Sequence, residues 1–284
     1  MKSRLIREIN SVRWIPSSQG HPYWNMAVDE AIAKEVSSDQ SPPTLRFYTW
    51  NQPSVSIGYF QNPVEDLDLS VLKERKIPWV RRITGGKGIF HHLELTYSFS
   101  APLSLSISIL PHDIRGSYQK LGFGFAKGLQ KLDIPVQLHS DPPNMTDESI
   151  HANGRKGNPL CFSSPSWYES LIQGKKVIGS AQKRFKKGFL QQGTILLRHR
   201  FEDFNRIFRL PSDVIPDFIG IFDFLRKEIP VAILEQSLVD GLESELGIAF
   251  LKGHLTENEL KLAQEFSEKK YGCESWNSSR SSRF

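Results

Sequence analysis

The sequence predicts an α+β fold: a mixed β-sheet packed against helices, with a helical C-terminal portion. Two patterns predict this. Blocks of β-branched and aromatic residues alternate with helical stripes up to about residue 200, and beyond Asp203 helical spacing takes over. The third observation is compositional. With 39% hydrophobic and 11% aromatic residues spread throughout, the chain can bury a core, which excludes disordered and collagen-like classes. No internal repeat or interdomain linker is visible. Residues 1–277 therefore read as one domain and 278–284 as a polar, flexible tail.

The elements follow in order. Trp24, Val28, Ala31, Ile32 and Val36 form a helical stripe, with Asn25 as its expected cap and Pro42-Pro43 closing the region. Leu45–Trp50 and Ser54–Phe60 read as strands joined by a turn at Asn51-Gln52-Pro53. Asp66–Lys76 reads as a short amphipathic helix and Pro78–Ile83 as a strand. After Thr84-Gly85-Gly86-Lys87-Gly88, the segment Ile89–Phe99 is a strand whose second half alternates as a half-buried strand should. Apolar residues at Ile114, Tyr118, Leu121, Phe125, Leu129 and Leu132 predict a helix within 112–132. Its four glycines each cost about 1 kcal/mol against alanine, which points to close packing, on a sheet by expectation. Asp141–Pro159 is loop-like. Trp167–Ile172 and Lys176–Ala181 form a strand pair about Gln173-Gly174-Lys175, and Phe189–Leu197 is a further strand. Val231–Leu246 is helical, and Thr256-Glu257-Asn258-Glu259 is a capping box opening another helix.

Charge narrows the function little. There are 36 Lys+Arg against 31 Asp+Glu, a net charge of +5, which favours acidic partners without identifying nucleic acid. The densest basic run is Lys183-Arg184-Phe185-Lys186-Lys187: a solvated loop on one reading, a docking surface for an acidic protein on another. No stretch approaches the roughly 20 apolar residues that a membrane span needs. The first residues lack the apolar core of a secretory signal, and two cysteines, Cys161 and Cys273, make no disulfide framework. A cytoplasmic location with reduced thiols is expected.

Phosphate-loop, serine-elbow, H-E-x-x-H and C-x-x-C motifs are all missing. His91 and His92 are adjacent on a strand and so point to opposite faces, and no metal site is expected. Three features remain. Arg81-Arg82-Ile83-Thr84-Gly85-Gly86-Lys87-Gly88 combines basic residues with glycines that permit close backbone approach to an oxygen-rich group, although a tight, solvated hairpin fits the bare pattern equally. Cys161 sits at the end of a polar loop, either a buried structural thiol or a nucleophile. As a nucleophile it needs a cation, and Lys176, fifteen residues on and across a turn, can supply one.

These segments together resemble the biotin/lipoate protein ligase superfamily over about residues 12–277. The carriers are Asn25-Met26-Ala27-Val28-Asp29-Glu30-Ala31, Leu45–Trp50, Arg81–Gly86, Gly174–Gln182, Leu190-Gln191-Gln192-Gly193-Thr194 and Lys270-Tyr271-Gly272 … Trp276-Asn277. Within it, Cys161–Glu169, the basic Lys87 after Gly85-Gly86, and His91 followed by Glu94-Leu95-Thr96-Tyr97-Ser98 are similar to the cysteine-dependent octanoyltransferases of lipoate biosynthesis. Three positions depart from that pattern: His92 stands where an acidic residue is usual, Lys87 where arginine is commoner, and Gln191-Gln192-Gly193 in place of Gln-His-Gly.

The resemblance implies a biotin/lipoate ligase-like sheet and a two-step acyl transfer without a bound cofactor. Cys161 would take an octanoyl group from the phosphopantetheine arm of acyl carrier protein. A lysine of a lipoyl domain, such as that of the glycine-cleavage H protein, would then take it from Cys161. Lys176 would lower the thiol pKa. Arg82, Thr84, Gly85, Gly86, Lys87 and His91, with Gly179, Ser180 and Ala181, would bind the acyl group and its thioester. The enzyme would act as a monomer in the cytoplasm, without nucleic acid or membrane. Two relatives of this chemistry are the alternatives: an ATP-dependent lipoate ligase in which Cys161 is structural, and an amidotransferase moving octanoyl or lipoyl groups between lipoyl domains.

Overall fold

The computed structural model describes residues 10–106, 109–138, 170–198, 201–210 and 217–281. Cys161 and the expected loop 141–159 lie outside the described residues.

The strands are β1 (Ser11–Ile15), β2 (Gln19–Gly20), β3 (Thr44–Trp50), β4 (Ser54–Ile57), β5 (Trp79–Arg81) and β6 (Ile89–His91). They continue as β7 (Glu94–Pro102), β8 (Val136–Leu138), β9 (Ser170–Ile172), β10 (Lys175–Arg184), β11 (Gly188–Leu196) and β12 (Ala249–Lys252). The main sheet runs β12-β1-β3-β7-β11-β10-β9-β8, with β2 also on β3, and β5-β4-β6 form a small second sheet. The β12-β1-β3 pairs are parallel, and the path from β3 to β8 is antiparallel.

β3 and β4 are the two strands joined by a turn that the sequence indicates, but they do not pair with each other. Both edges of β3 are already taken, one by β1 and β2 and the other by β7, so the chain turns at Asn51–Pro53 into the second sheet.

Helix α1 (Pro22–Ser37) starts earlier than expected, capped by His21. Asn25 is not the cap. Its amide donates to the carbonyls of Gly20 (3.2 Å) and Thr49 (3.1 Å), tying the first turn to the end of β3. The helix expected over 66–76 is split into α2 (Pro63–Asp66) and α3 (Leu69–Glu74), the second capped by Asp68.

β7 alternates as expected, but it is buried on both faces. Leu95, Tyr97, Phe99 and Ala101 enter the core beside Leu121 and Phe125 of α4 (Ile114–Gln130). Its polar face lies under α1, where Ser98 meets the buried Asp29 instead of water.

The glycines of α4 serve a helix contact rather than a sheet contact. α5 (Phe201–Ile207) and α6 (Ile221–Leu225) precede α7 (Val231–Leu246), which crosses α4. A Cβ at Gly128 would stand 2.5 Å from the Ser237 carbonyl, and one at Gly241 would stand 2.3 Å from Gly124 O. Only hydrogen fits at this crossing, which outweighs the helix-propensity cost.

Helix α8 (Glu257–Phe266) opens on the expected capping box at Thr256 and Glu259. It widens into a π-helical turn, Ser267–Tyr271, and α9 (Glu274–Ser279) follows. Ser278, expected to begin the tail, thus lies within a helix. This end of the chain clamps the centre. Lys270 Nζ contacts both Glu30 oxygens (2.9 and 2.7 Å), and the Tyr271 hydroxyl donates to Glu30 at 2.7 Å. Fully buried Arg81 donates to the carbonyls of Tyr59 (2.9 Å), Gln61 (2.7 Å) and Asn277 (2.9 Å). Burial, then the charge of Arg280, lowers its pKa to about 10, which leaves it cationic at neutral pH. Among the described residues no helix is long and apolar enough to cross a membrane.

Candidate active site

The site begins at a buried carboxylate. Asp29, on α1, is 1% exposed. Its Oδ1 accepts from Arg46 Nη1 (2.7 Å) and Ser98 Oγ (2.8 Å), and its Oδ2 from Tyr48 Oη and Gln192 Nε2 (2.7 Å each). Four donors satisfy the carboxylate and one of them carries the compensating charge, as burial of an ion requires. Burial, then Asp29 itself, raises the Tyr48 phenol pKa, so Tyr48 remains a donor. Gln192 passes the order on: its Oε1 accepts from Thr84 Oγ1 at 2.8 Å. Helix, main sheet and glycine loop are thereby fixed in one register.

The loop closes on itself through Arg82. Its guanidinium donates to the carbonyls of Gly85 and Lys87 (2.8 Å each). Gly86 has φ +83°, a left-handed conformation that favours glycine. Below it, a Cβ on Gly58 would lie 1.9 Å from Gly86 O. Gly58, unremarked in the sequence reading, is what lets the loop lie flat on β4.

Between loop and sheet lies a pocket with about 320 Å³ of empty space, partly open to solvent. Apolar lining comes from Met26, Trp50 and Ile89, and small residues come from Gly179, Ser180, Ala181 and Gly193. Ser180 is anchored by Tyr97, whose hydroxyl lies 2.7 Å away and also accepts from Gln191 at 2.8 Å. Burial pushes the Tyr97 phenol up to about 12, partly offset by those bonds.

Ser56, Arg82 and His91 supply the polar wall. His91 is stacked on Trp50, with centroids 3.8 Å apart and rings 15° from parallel. Its Nε2 is 2.7 Å from Ser56 Oγ and its Nδ1 is 2.6 Å from Glu94 Oε1. Arg82 Nη1 donates to Ser56 Oγ at 3.2 Å. The Glu94 carboxylate only accepts, so it takes the N–H of the neutral ring and leaves Nε2 to accept from Ser56, whose oxygen accepts in turn from Arg82. The ring proton then sits on Nδ1, facing Glu94. Burial lowers the His91 pKa below 6.5 despite Glu94, and Arg82 adds to the lowering, so the ring is neutral at pH 7.

The pocket thus brings together Arg82, His91, Gly179, Ser180 and Ala181 of the residues singled out from sequence. Thr84, Gly85, Gly86 and Lys87 form the loop that supports it. Lys176 is buried on β10, where its backbone N–H donates to Asp217 O (3.1 Å), and it is not among the lining residues. It lies three residues before Gly179, about 10 Å along the strand. Tyr48, Trp50, Ser56 and Gln192 were not proposed as site residues. Three of them lie in segments quoted above for the resemblance, and Ser56 carried no local signal. Among the described residues no three His, Cys, Asp or Glu side chains gather as a metal site would require.

Known proteins share this arrangement of motifs. The model of the lipoyl protein ligase A/B catalytic domain matches residues 21–243. The chain belongs to that family. It is 34% identical to the octanoyltransferase LipM of Moorella thermoacetica, over 93% of this chain and 96% of that one. It is 36% identical to the octanoyltransferase LipM of Symbiobacterium thermophilum, over 89% and 93% respectively. Among solved structures, a lipoate-protein ligase A bound with ATP superposes with a TM-score of 0.75 at 26% identity, covering 94% of this chain and 98% of that one. The α+β architecture and its helical C-terminal part are those of this family.

Proposed function

We propose that this chain is an octanoyltransferase of protein lipoylation, working through a thioester on Cys161. The observation that carries the reading is its 34–36% identity, over about nine-tenths of its length, to proteins named octanoyltransferase. A pocket with apolar walls and a small-residue floor supports it. Each methylene of an acyl chain buried there contributes about 0.8 kcal/mol, which lets pocket depth select chain length.

The acyl donor is the phosphopantetheine thioester of acyl carrier protein. The Cys161 thiolate attacks its carbonyl carbon, the pantetheine thiol leaves, and octanoyl-Cys161 remains. The amine of a lipoyl-domain lysine, as in a glycine-cleavage H protein, then displaces Cys161 to give an amide. A thiol of ordinary pKa near 8.5 is only about 3% ionised at pH 7. Lys176 is assigned the task of raising that fraction by its charge. No cofactor takes part.

Intact-mass measurement after mixing with octanoyl-acyl carrier protein tests the reading. One octanoyl adduct is expected, lost in Cys161→Ala, and Lys176→Ala should move iodoacetamide alkylation of Cys161 to higher pH. Absence of the adduct, or ATP-dependent lipoylation that survives Cys161→Ser, would overturn it in favour of a ligase.

A further inference from the structure

The second half of that reaction has an unmet need. A lysine side chain of pKa about 10.4 is neutral in only about one molecule in 2,500 at pH 7, and only the neutral amine attacks a thioester. The site must take a proton from it. Lys176, assigned above to a thiolate, is not among the side chains lining the pocket.

We infer that Ser56, His91 and Glu94 form a proton relay that deprotonates the acceptor lysine. Ser56 and His91 both line the pocket, alongside Gly179 and Ala181. The hydrogen bonds Ser56 Oγ–His91 Nε2 and His91 Nδ1–Glu94 Oε1, at 2.7 and 2.6 Å, are continuous and lead from two pocket-lining residues to Glu94, which is not among the lining residues. Ser56 Oγ accepts from Arg82 and has a second lone pair for an ammonium N–H. Ser56 Oγ takes one ammonium proton as its own passes to His91 Nε2, and the imidazolium releases it to water. The neutral amine then bonds to the thioester carbon, and its second proton follows the same route as the C–S bond breaks and the Cys161 sulfur leaves as thiolate. The imidazolium formed each time is held by Glu94, and the second proton goes to water or to the next acyl donor's thiolate. Among the described residues, the charged groups acting on His91 are Glu94 and Arg82. Neutral at rest, the ring has the acceptor position that the step requires. Glu94 is fixed in turn by the backbone N–H of His92 at 2.8 Å, which orients its other oxygen toward His91. This inference rests on the acyl-enzyme reading above.

The test isolates octanoyl-Cys161 enzyme and chases it with either a lipoyl domain or hydroxylamine, whose amine is already neutral at pH 7. His91→Gln should slow amide formation on the lipoyl lysine by about a hundredfold or more. Hydroxamate formation should fall far less. The wild-type amide rate should rise with pH through the His91 titration and level off, and the variant should lose that step. Ser56→Ala, a milder change that keeps the strand, should show the same selective loss. The relay is overturned if both nucleophiles slow alike in His91→Gln, or if Ser56→Ala keeps the wild-type rate and pH profile. A wild-type enzyme that forms no octanoyl-Cys161 at all would instead overturn the thioester reading, and the relay with it.

Discussion

Replacing Asp29 by Asn probes the centre on which the pocket is hung. The substitution keeps the shape but removes the charge opposite Arg46, and it presents an amide donor to a site that holds four donors. Breaking a buried ion pair by neutralising one partner costs about 3–5 kcal/mol. The entropy of unfolding is roughly 2.1 cal/mol/K per residue, or about 0.6 kcal/mol/K for 284 residues. The melting temperature should therefore fall by about 5–8 °C, as read by calorimetry at pH 7. Arg46→Met on the Asp29→Asn background should recover part of the loss, because the orphaned guanidinium is then gone. A fall below about 2 °C, or strictly additive effects of the two substitutions, would refute the argument that this pair is an energetic unit.

Two further substitutions test the loop and the C-terminal clamp. Gly58→Ala drives a methyl group into the Gly86 carbonyl and should displace the loop by about an ångström, costing about a hundredfold in transfer rate; an unchanged rate would show that loop position is irrelevant. Glu259, buried beside Arg13, should make stability depend on acid. Burial alone would raise its pKa, but hydrogen bonds from Arg13 and Thr256 bring it below the ordinary 4.5. A depressed folded-state pKa gives stability that is present above about pH 4.5 and is lost as pH falls through the folded value. Urea midpoints of wild type and Glu259→Gln should therefore differ at pH 7 and converge in acid, and a constant gap would contradict the assignment.

Elements governed by local pattern were legible in the sequence. Val231–Leu246 is a helix over the residues its spacing indicates, and the capping box at Thr256 closes as its residue types require. What was not legible depends on partners far along the chain. Whether β3 pairs with β4 is decided by which edges β1, β2 and β7 leave open, and no window around Pro53 contains that information. The polar face of β7 resembles a solvent face until Asp29 is known to lie above it. In the site, glycines and basic residues marked the loop, while the small residues of the pocket floor were reached through the family resemblance and not through local pattern. Ser56 was silent: on an alternating strand a serine resembles any other polar position, and only His91, thirty-five residues later, gives it meaning.

The bonds from Arg81 to Asn277 span 196 positions of chain. A ribosome delivers the glycine loop long before its fastening. A growing chain halted short of Asn277 would hold a buried cation whose oxygen cradle is half built. The pocket is thus assembled only once Asn277 has been made, and proteolytic clipping before Trp276 would dismantle it from a distance without touching any residue of its wall.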